Sequence, residues 1–270
     1  MTGAATPFGL PLAHAPEGML TSSEFRDATI FAQPFGLIDG NGRVVIGPVA
    51  ATPPLGASAA RVVALEAGAA VPLGRFLGPA LACGLIGRRV SGGLKLAGPA
   101  LTPAQRGALD MLGLDGAHLP FDHPFTFAGV IATLGPARDA GASRLMRIGI
   151  DALRFTVEPY PHAERIALVR PGPFAELLAS RGFARLDPFT MRIDDTPLGL
   201  PDLVAILAAA RVVAIDQAAE APLLGFCDPG GLVIAFGAAV PPARGWAALG
   251  MLRCRPATSD EAGLDTALAG

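Results

Sequence analysis

Apolar and polar residues fall into separate blocks between residues 203 and 236. Residues 203–210 are strong helix formers and residues 211–215 form a β-branched run, so the pattern predicts a helix followed by a buried strand. Polar groups follow at residues 216–220, and a second buried strand is predicted at residues 232–236. Because ligands bind at the carboxyl ends of strands in open α/β sheets, we expect the turn at residues 216–220 to line the site.

The same alternation of apolar blocks and turns continues along the chain. A hairpin is predicted at residues 35–47, where glycines after Asp39 and Asn41 allow tight turns. Thr102 as N-cap with Pro103 after it predicts the start of a helix. Further strands are predicted at 29–32, 61–65, 89–96, 114–119, 166–170 and 184–186, and further helices at 74–86, 102–112, 143–155, 174–180 and 197–210. Strands that alternate with helices favour an α/β protein with mostly parallel sheets.

The chain has 270 residues, a length typical of about two domains. Hydrophobic residues make up 51% and charged residues 16%, so the chain can bury a large core. Prolines from Pro159 onward interrupt the pattern, and we predict a domain boundary there, with domains at residues 25–155 and 156–255. Residues 1–24 are predicted to be a flexible N-terminal arm, and residues 256–270 a tail.

The charge and cysteine content narrow the functional classes. A net charge of −2 provides no basic face, which argues against nucleic acid as a partner. Lys95 is the only lysine, a bias typical of a GC-rich bacterial genome. Cys83, Cys227 and Cys254 are widely spaced in apolar surroundings, as expected of buried thiols in the cytoplasm rather than disulfides or a metal site. No uninterrupted apolar run is long enough to predict a transmembrane helix, and the apolar stretch at residues 71–86 leaves peripheral membrane or protein association open.

Four segments, taken in order, resemble glycosyltransferase family 61, the capsular-polysaccharide-type glycosyltransferases. They are IDGNGRVV at 38–45, PALTPAQRGALDMLGLDGAHL at 99–119, RIALVR at 165–170 with ELLASRGFARLDP at 176–188, and AARVVAIDQAAEAPLLGFCDPGG at 209–231. The resemblance implies a GT-B-like arrangement of two Rossmann-like domains that face each other across a cleft. It also implies transfer of a sugar from a nucleotide sugar to a polysaccharide or glycan acceptor, without a tightly bound metal or another cofactor.

The chain departs from the family at several polar positions. Gln217 and Ala218 stand where the family tends to have a His-Gly pair, and Leu223 stands where it has an Asn. Residues 70–82 contain neither the family's His nor an acid, and residues 171–173 shorten a segment that is usually basic. A second reading is therefore a catalytically inactive homologue that binds a nucleotide or a protein partner in polysaccharide biosynthesis. The oligomeric state is not set by the sequence.

Two residues are candidates for binding the nucleotide sugar. Arg170 ends a predicted strand at the presumed cleft, where its guanidinium can hold a phosphate through two hydrogen bonds. Gln217 can hydrogen-bond a base or a ribose hydroxyl, but its neutral amide cannot act as a general base. The alternative readings are a surface arginine and a polar turn residue.

The candidates for catalysis are Asp216, Glu220 and His123. Asp216 and Glu220 are the only acids in the turn at residues 216–220, and we favour a role for Glu220 in capping the following helix over one as general base. His123 lies in an Asp-His-Pro cluster, although an ordinary loop histidine is the better reading. No Ser-His-Asp or Cys-His constellation follows from the spacing.

Overall fold

The computed structural model describes residues 21–32, 34–47, 49, 52–134, 147–160 and 162–269. This part of the chain is a mixed α/β structure with two seven-stranded sheets and eight α-helices. The strands are β1 (Thr21–Phe31), β2 (Gly36–Ile38), β3 (Val44–Ile46), β4 (Gly56–Ala64), β5 (Leu96–Gly98), β6 (His118–Pro120), β7 (Phe125–Leu134), β8 (Arg165–Leu168), β9 (Ala184–Asp187), β10 (Arg192–Ile193), β11 (Thr196–Pro197), β12 (Val212–Ile215), β13 (Leu232–Phe236) and β14 (Arg253–Ala257). The helices are α1 (Leu73–Arg75), α2 (Leu81–Val90), α3 (Pro103–Met111), α4 (Ile148–Arg154), α5 (Pro173–Ser180), α6 (Leu200–Ala209), α7 (Val240–Leu249) and α8 (Glu261–Ala269).

The first sheet has the order β3-β2-β1-β7-β4-β5-β6. β1 pairs antiparallel with both β2 and β7, whereas β4, β5, β6 and β7 run parallel to one another. The expectation of mostly parallel sheets therefore does not describe this sheet, which is mixed. The predicted hairpin is confirmed: Asp39 closes its turn by accepting hydrogen bonds from the backbone amides of Asn41 and Arg43 at 3.0 and 2.9 Å.

The second sheet has the order β11-β10-β9-β8-β12-β13-β14. Five neighbouring strands of this sheet are parallel, namely β9, β8, β12, β13 and β14. β10 and β11 extend the sheet beyond β9 as antiparallel strands. The interior strands β12 and β13 consist of apolar residues, and every residue of β13 is buried. Continuous apolar strands of this kind are covered on both faces, as parallel strands usually are.

One hydrophobic core joins the two sheets. It contains Leu65 and Leu96 of the first half together with Leu203 and Ile215 of the second, each with no exposed surface. α1, a π-helical turn (Phe76–Ala80) and α2 contribute Leu73, Phe76 and Leu81 to this core. These segments cover the helix predicted at residues 74–86.

Both predicted chain ends need correction where the structure describes them. Residues 21–24, assigned to the flexible arm, are the first part of the long strand β1, and residues 1–20 lie outside the described residues. Residues 256–270, predicted to be a tail, contain α8, whose Leu264 and Ala267 are buried against the second sheet. The start of the helix predicted at residues 143–155 also lies outside the described residues, and α4 occupies the rest. None of the described helices combines the length and the apolar character needed to cross a bilayer.

Candidate functional site

The chain switches from one face of the second sheet to the other between β8 and β12. After β8 it enters α5, whose buried Leu178 packs on one face with Ala167 and Ala214. After β12 it enters a 3-10 helix (Ala218–Phe226), whose Leu223 belongs to the core on the other face. Since β8 and β12 are neighbours, their carboxyl ends flank a topological switch point, the place where open α/β sheets bind ligands.

Arg170 and Asp216 meet at this switch point. The backbone N–H of Arg170 donates to the Asp216 carboxylate, at 3.3 Å to Oδ1 and 3.5 Å to Oδ2. The backbone N–H of Asp216 donates to the carbonyl of Leu168 at 3.4 Å, so the segments that follow β8 and β12 continue side by side beyond the sheet. Gln217 follows and is half-buried, whereas Arg170 is exposed. The structure thus brings together three of the residues selected from the sequence.

The loop after Arg170 leads directly into an open helix end. Gly172 has φ 150° and ψ −178°, a backbone conformation that only glycine adopts readily. A Cβ added there would meet no heavy atom within 4 Å, so the space above the loop is open. α5 begins at Pro173, which has no N–H, and the helix has no side-chain cap. The amides of Phe174 and Ala175 in its first turn are therefore the ones that can receive an anion. We call Arg170, Gly172, Asp216 and Gln217 the switch-point site.

The electrostatics of the switch-point site are mixed. Partial burial raises the pKa of Asp216 above its ordinary value, and the hydrogen bond and positive charge of Arg170 offset only part of this rise. Arg170 supplies a positive charge that attracts an anion, and the exposed Glu176 in the first turn of α5 supplies a negative charge that repels one. Arg170 and the α5 amides can bind a phosphate, and the Gln217 amide can bind a hydroxyl.

Glu220 lies outside the switch-point site, in a junction between the two halves. Its side chain is 6% exposed, and its Oε2 accepts a hydrogen bond of 2.7 Å from the backbone N–H of Gly74, in the first turn of α1. A Cβ on Gly74 would lie 2.8 Å from both the carbonyl oxygen of Ala219 and the Cα of Glu220. Glycine at position 74 therefore allows the two segments to touch. The predicted capping of a following helix is not seen: Glu220 lies within the first turn of the 3-10 helix (Ala218–Phe226), and its carboxyl group accepts from the amide of Gly74 instead.

Burial dominates the ionisation of Glu220. Loss of water raises its pKa to about 7, the hydrogen bond from Gly74 lowers it, and the negative charge of Asp187 raises it. A carboxyl group with such a pKa is matched to general acid–base work near neutral pH. Its hydrogen bond and its burial, however, direct the carboxylate towards α1 rather than towards solvent.

The junction also contains polar residues that the sequence did not single out. Arg75 forms an ion pair with Glu66 at 3.0 Å, beyond the carboxyl end of β4. Gln105 is 1% exposed, completes a capping box with Thr102 and hydrogen-bonds the backbone N–H and carbonyl of Gly68. The spacing of Thr102 and Gln105 is itself a capping-box signal and could have identified Gln105.

His123 is not part of the switch-point site. It lies in the connection between β6 and β7 of the first sheet, with an exposed imidazole 3.5 Å from the carboxylate of Asp122. This placement fits an ordinary loop histidine. Within the ranges that the structure describes, no three or more His, Cys, Asp or Glu residues are arranged to hold a metal ion.

Two open depressions lie elsewhere on the described surface. One, of about 560 Å³, runs along β14 and α8, and the other, of about 510 Å³, lies beside the first-sheet hairpin. The first is lined by the residues that cap α8, where Asp260 accepts from the backbone of Gly263 at 2.7 Å. Neither lining includes a residue of the switch-point site.

No protein-family model matches the chain, and no curated protein matches it either.

Proposed function

We propose that the chain is a glycosyltransferase-61-like protein that binds a nucleotide or a nucleotide sugar at the switch-point site. The observation that carries the proposal is the meeting of Arg170, an uncapped α5 N-terminus and Gln217 at the ends of β8 and β12. Arg170 and the α5 amides hold the phosphates, and Gln217 holds a ribose hydroxyl.

The proposal extends to the arrangement of the two halves as GT-B-like. The parallel strands of the second sheet lie in the order β9-β8-β12-β13-β14. Counted along the chain from β8, this is the order 2-1-3-4-5 of a doubly wound fold. The first half contributes four parallel strands, with an antiparallel extension through β1. Contact between α1 and the residues after β12 brings the two halves together beside the site.

We favour binding without sugar transfer. Burial raises the pKa of Glu220 to about 7, but its carboxyl group accepts a hydrogen bond from the amide of Gly74 inside the junction. Asp216 in turn accepts from the backbone of Arg170. Because the buried carboxyl group of Glu220 is turned towards α1 and away from solvent, we favour the inactive homologue of the two interpretations.

Sugar transfer from a nucleotide sugar to a polysaccharide or glycan acceptor is the second candidate function. The raised pKa of Glu220 is the observation that favours it. In that case an opening of the contact between Gly74 and Glu220 has to expose the carboxylate. Glu220→Gln then abolishes transfer, whereas it leaves nucleotide binding intact in both readings.

A thermal-shift screen against UDP, GDP, CMP and their sugar conjugates tests the proposal. A ligand at ~100 times its Kd stabilises by about 2.7 kcal/mol, which corresponds to several degrees for a chain of this size. We expect a shift with one nucleotide class that is lost in Arg170→Ala and kept in Arg211→Ala. Arg211 is the control because it is an exposed arginine just before β12, at the opposite end of that strand. No shift with any nucleotide would overturn the proposal.

A further inference from the structure

Phe189 is a large apolar side chain in a tightly organised loop beside the switch-point site. It is 82% exposed, although a phenyl ring gains most from burial. The Asp187 carboxylate accepts hydrogen bonds from the backbone N–H of Phe189 at 2.9 Å and of Thr190 at 3.3 Å. It also accepts from the Thr190 hydroxyl at 2.8 Å. The loop is thus held in one shape by its own contacts while its aromatic ring faces solvent.

The order of the strands places this loop and Arg170 at the same edge of the second sheet. β8 and β9 are parallel, with Ala167 opposite Arg185. From there the two strands run in the same direction, β8 to Leu168 and β9 to Asp187, so Arg170 and the loop that carries Phe189 both follow the carboxyl ends of neighbouring strands. Neighbouring strands are ~4.8 Å apart, a separation that a single nucleotide spans. On its other side Arg170 meets Asp216.

We propose that Phe189 is the stacking platform for the base of the nucleotide whose phosphates bind at Arg170. This inference rests on the proposed function and adds the position of the base. Any purine or pyrimidine presents a π face, so an exposed phenyl ring binds the base by stacking, without hydrogen-bond readout. Because the Asp187 contacts fix the loop in advance, little conformational freedom is lost when the base arrives.

Isothermal titration separates base binding from phosphate binding. The ligands are UDP, GDP and inorganic pyrophosphate, and the proteins are the wild type, Phe189→Ala, Phe189→Tyr and Phe155→Ala. Phe155 is the matched control, since it is 89% exposed and follows α4. The adjacent Arg154 hydrogen-bonds the carbonyl of Cys227, which precedes β13 and so lies at that strand's amino end. We expect Phe189→Ala to weaken the tighter-binding nucleotide at least fivefold, with unchanged affinity for pyrophosphate. Phe189→Tyr and Phe155→Ala keep wild-type affinity.

Each contrary result has a separate meaning. If Phe189→Ala binds the nucleotide as tightly as the wild type while Arg170→Ala loses it, the stacking platform is refuted and the proposed function stands. If Phe189→Ala loses pyrophosphate as well, with an unchanged melting temperature, the ring does not act through the base and the inference is refuted. If the wild type binds neither nucleotides nor pyrophosphate, the proposed function fails and the inference fails with it.

Discussion

Glu220→Gln should make the protein more stable at alkaline pH. The native pKa of about 7 lies above the ordinary value of 4.5, so between these pH values the folded chain holds a proton that the unfolded chain releases. Stability is therefore highest below pH 4.5 with respect to this group and falls as the pH rises through about 7. At ~1.4 kcal/mol per pKa unit, the loss is about 3 kcal/mol. Glutamine keeps an oxygen that can accept from Gly74 but does not titrate.

Urea unfolding at a series of pH values from 4.5 to 8.5 measures this effect. The free energy of unfolding of Glu220→Gln should lie close to that of the wild type at pH 4.5. It should exceed it by up to about 3 kcal/mol at pH 8.5, because the other titrating groups cancel between the two proteins. Glu176→Gln is the control, since it removes an exposed glutamate, and it should follow the wild type. Parallel curves for the wild type and Glu220→Gln would refute the account of a buried carboxyl group whose pKa is raised to about 7.

Two further substitutions test the packing around the site. Gly74→Ala brings a Cβ to 2.8 Å from backbone atoms of the 3-10 helix and should lower the free energy of unfolding in urea by roughly 1–3 kcal/mol. In the control Gly116→Ala the added Cβ meets no atom within 4 Å, and the stability should be nearly unchanged. Equal stability of the two variants would contradict the close contact. Leu264→Ala removes a fully buried side chain of α8 and should cost about 2–5 kcal/mol, and a change below ~0.5 kcal/mol would mean that α8 does not pack on the sheet.

The sequence predicts the second half of the fold well because its signals are local. The runs at residues 211–215 and 232–236 are β-branched and apolar, as buried parallel strands are, and both are strands in the structure. Thr102 is an N-cap as predicted, and its side chain accepts from the backbone of Gln105 at 3.3 Å. Capping and apolar runs need no knowledge of distant residues.

The first sheet could not be predicted as fully, because long-range pairing determines it. β1 begins with polar residues and has no continuous apolar run, yet it pairs with β7 over most of its length. Ser22 shares a hydrogen bond of 2.7 Å with Thr133, 111 positions further along the chain. Polar strand residues of this kind are satisfied only once the partner strand is in place.

The candidate site also combines residues that local sequence signals predict with contacts that depend on distant parts of the chain. Arg170, Asp216 and Gln217 follow from strand ends that the sequence marks. The contact between Gly74 and Glu220 joins residues 146 positions apart. The sequence therefore does not show that an amide of α1 donates a hydrogen bond to this carboxyl group. The role of Asp187 in holding the exposed Phe189 depends on loop geometry and was also missed.

Hydrogen exchange with and without millimolar UDP, GDP or CDP tests the central claim most directly. If a nucleotide binds at the switch-point site, the backbone amides of Arg170, Gly172, residues 174–176 and residues 216–217 should exchange more slowly in its presence. The amides of the depression along β14 and α8 should not change. Protection confined to another surface, or no protection with any of the three nucleotides, would contradict nucleotide binding at the ends of β8 and β12.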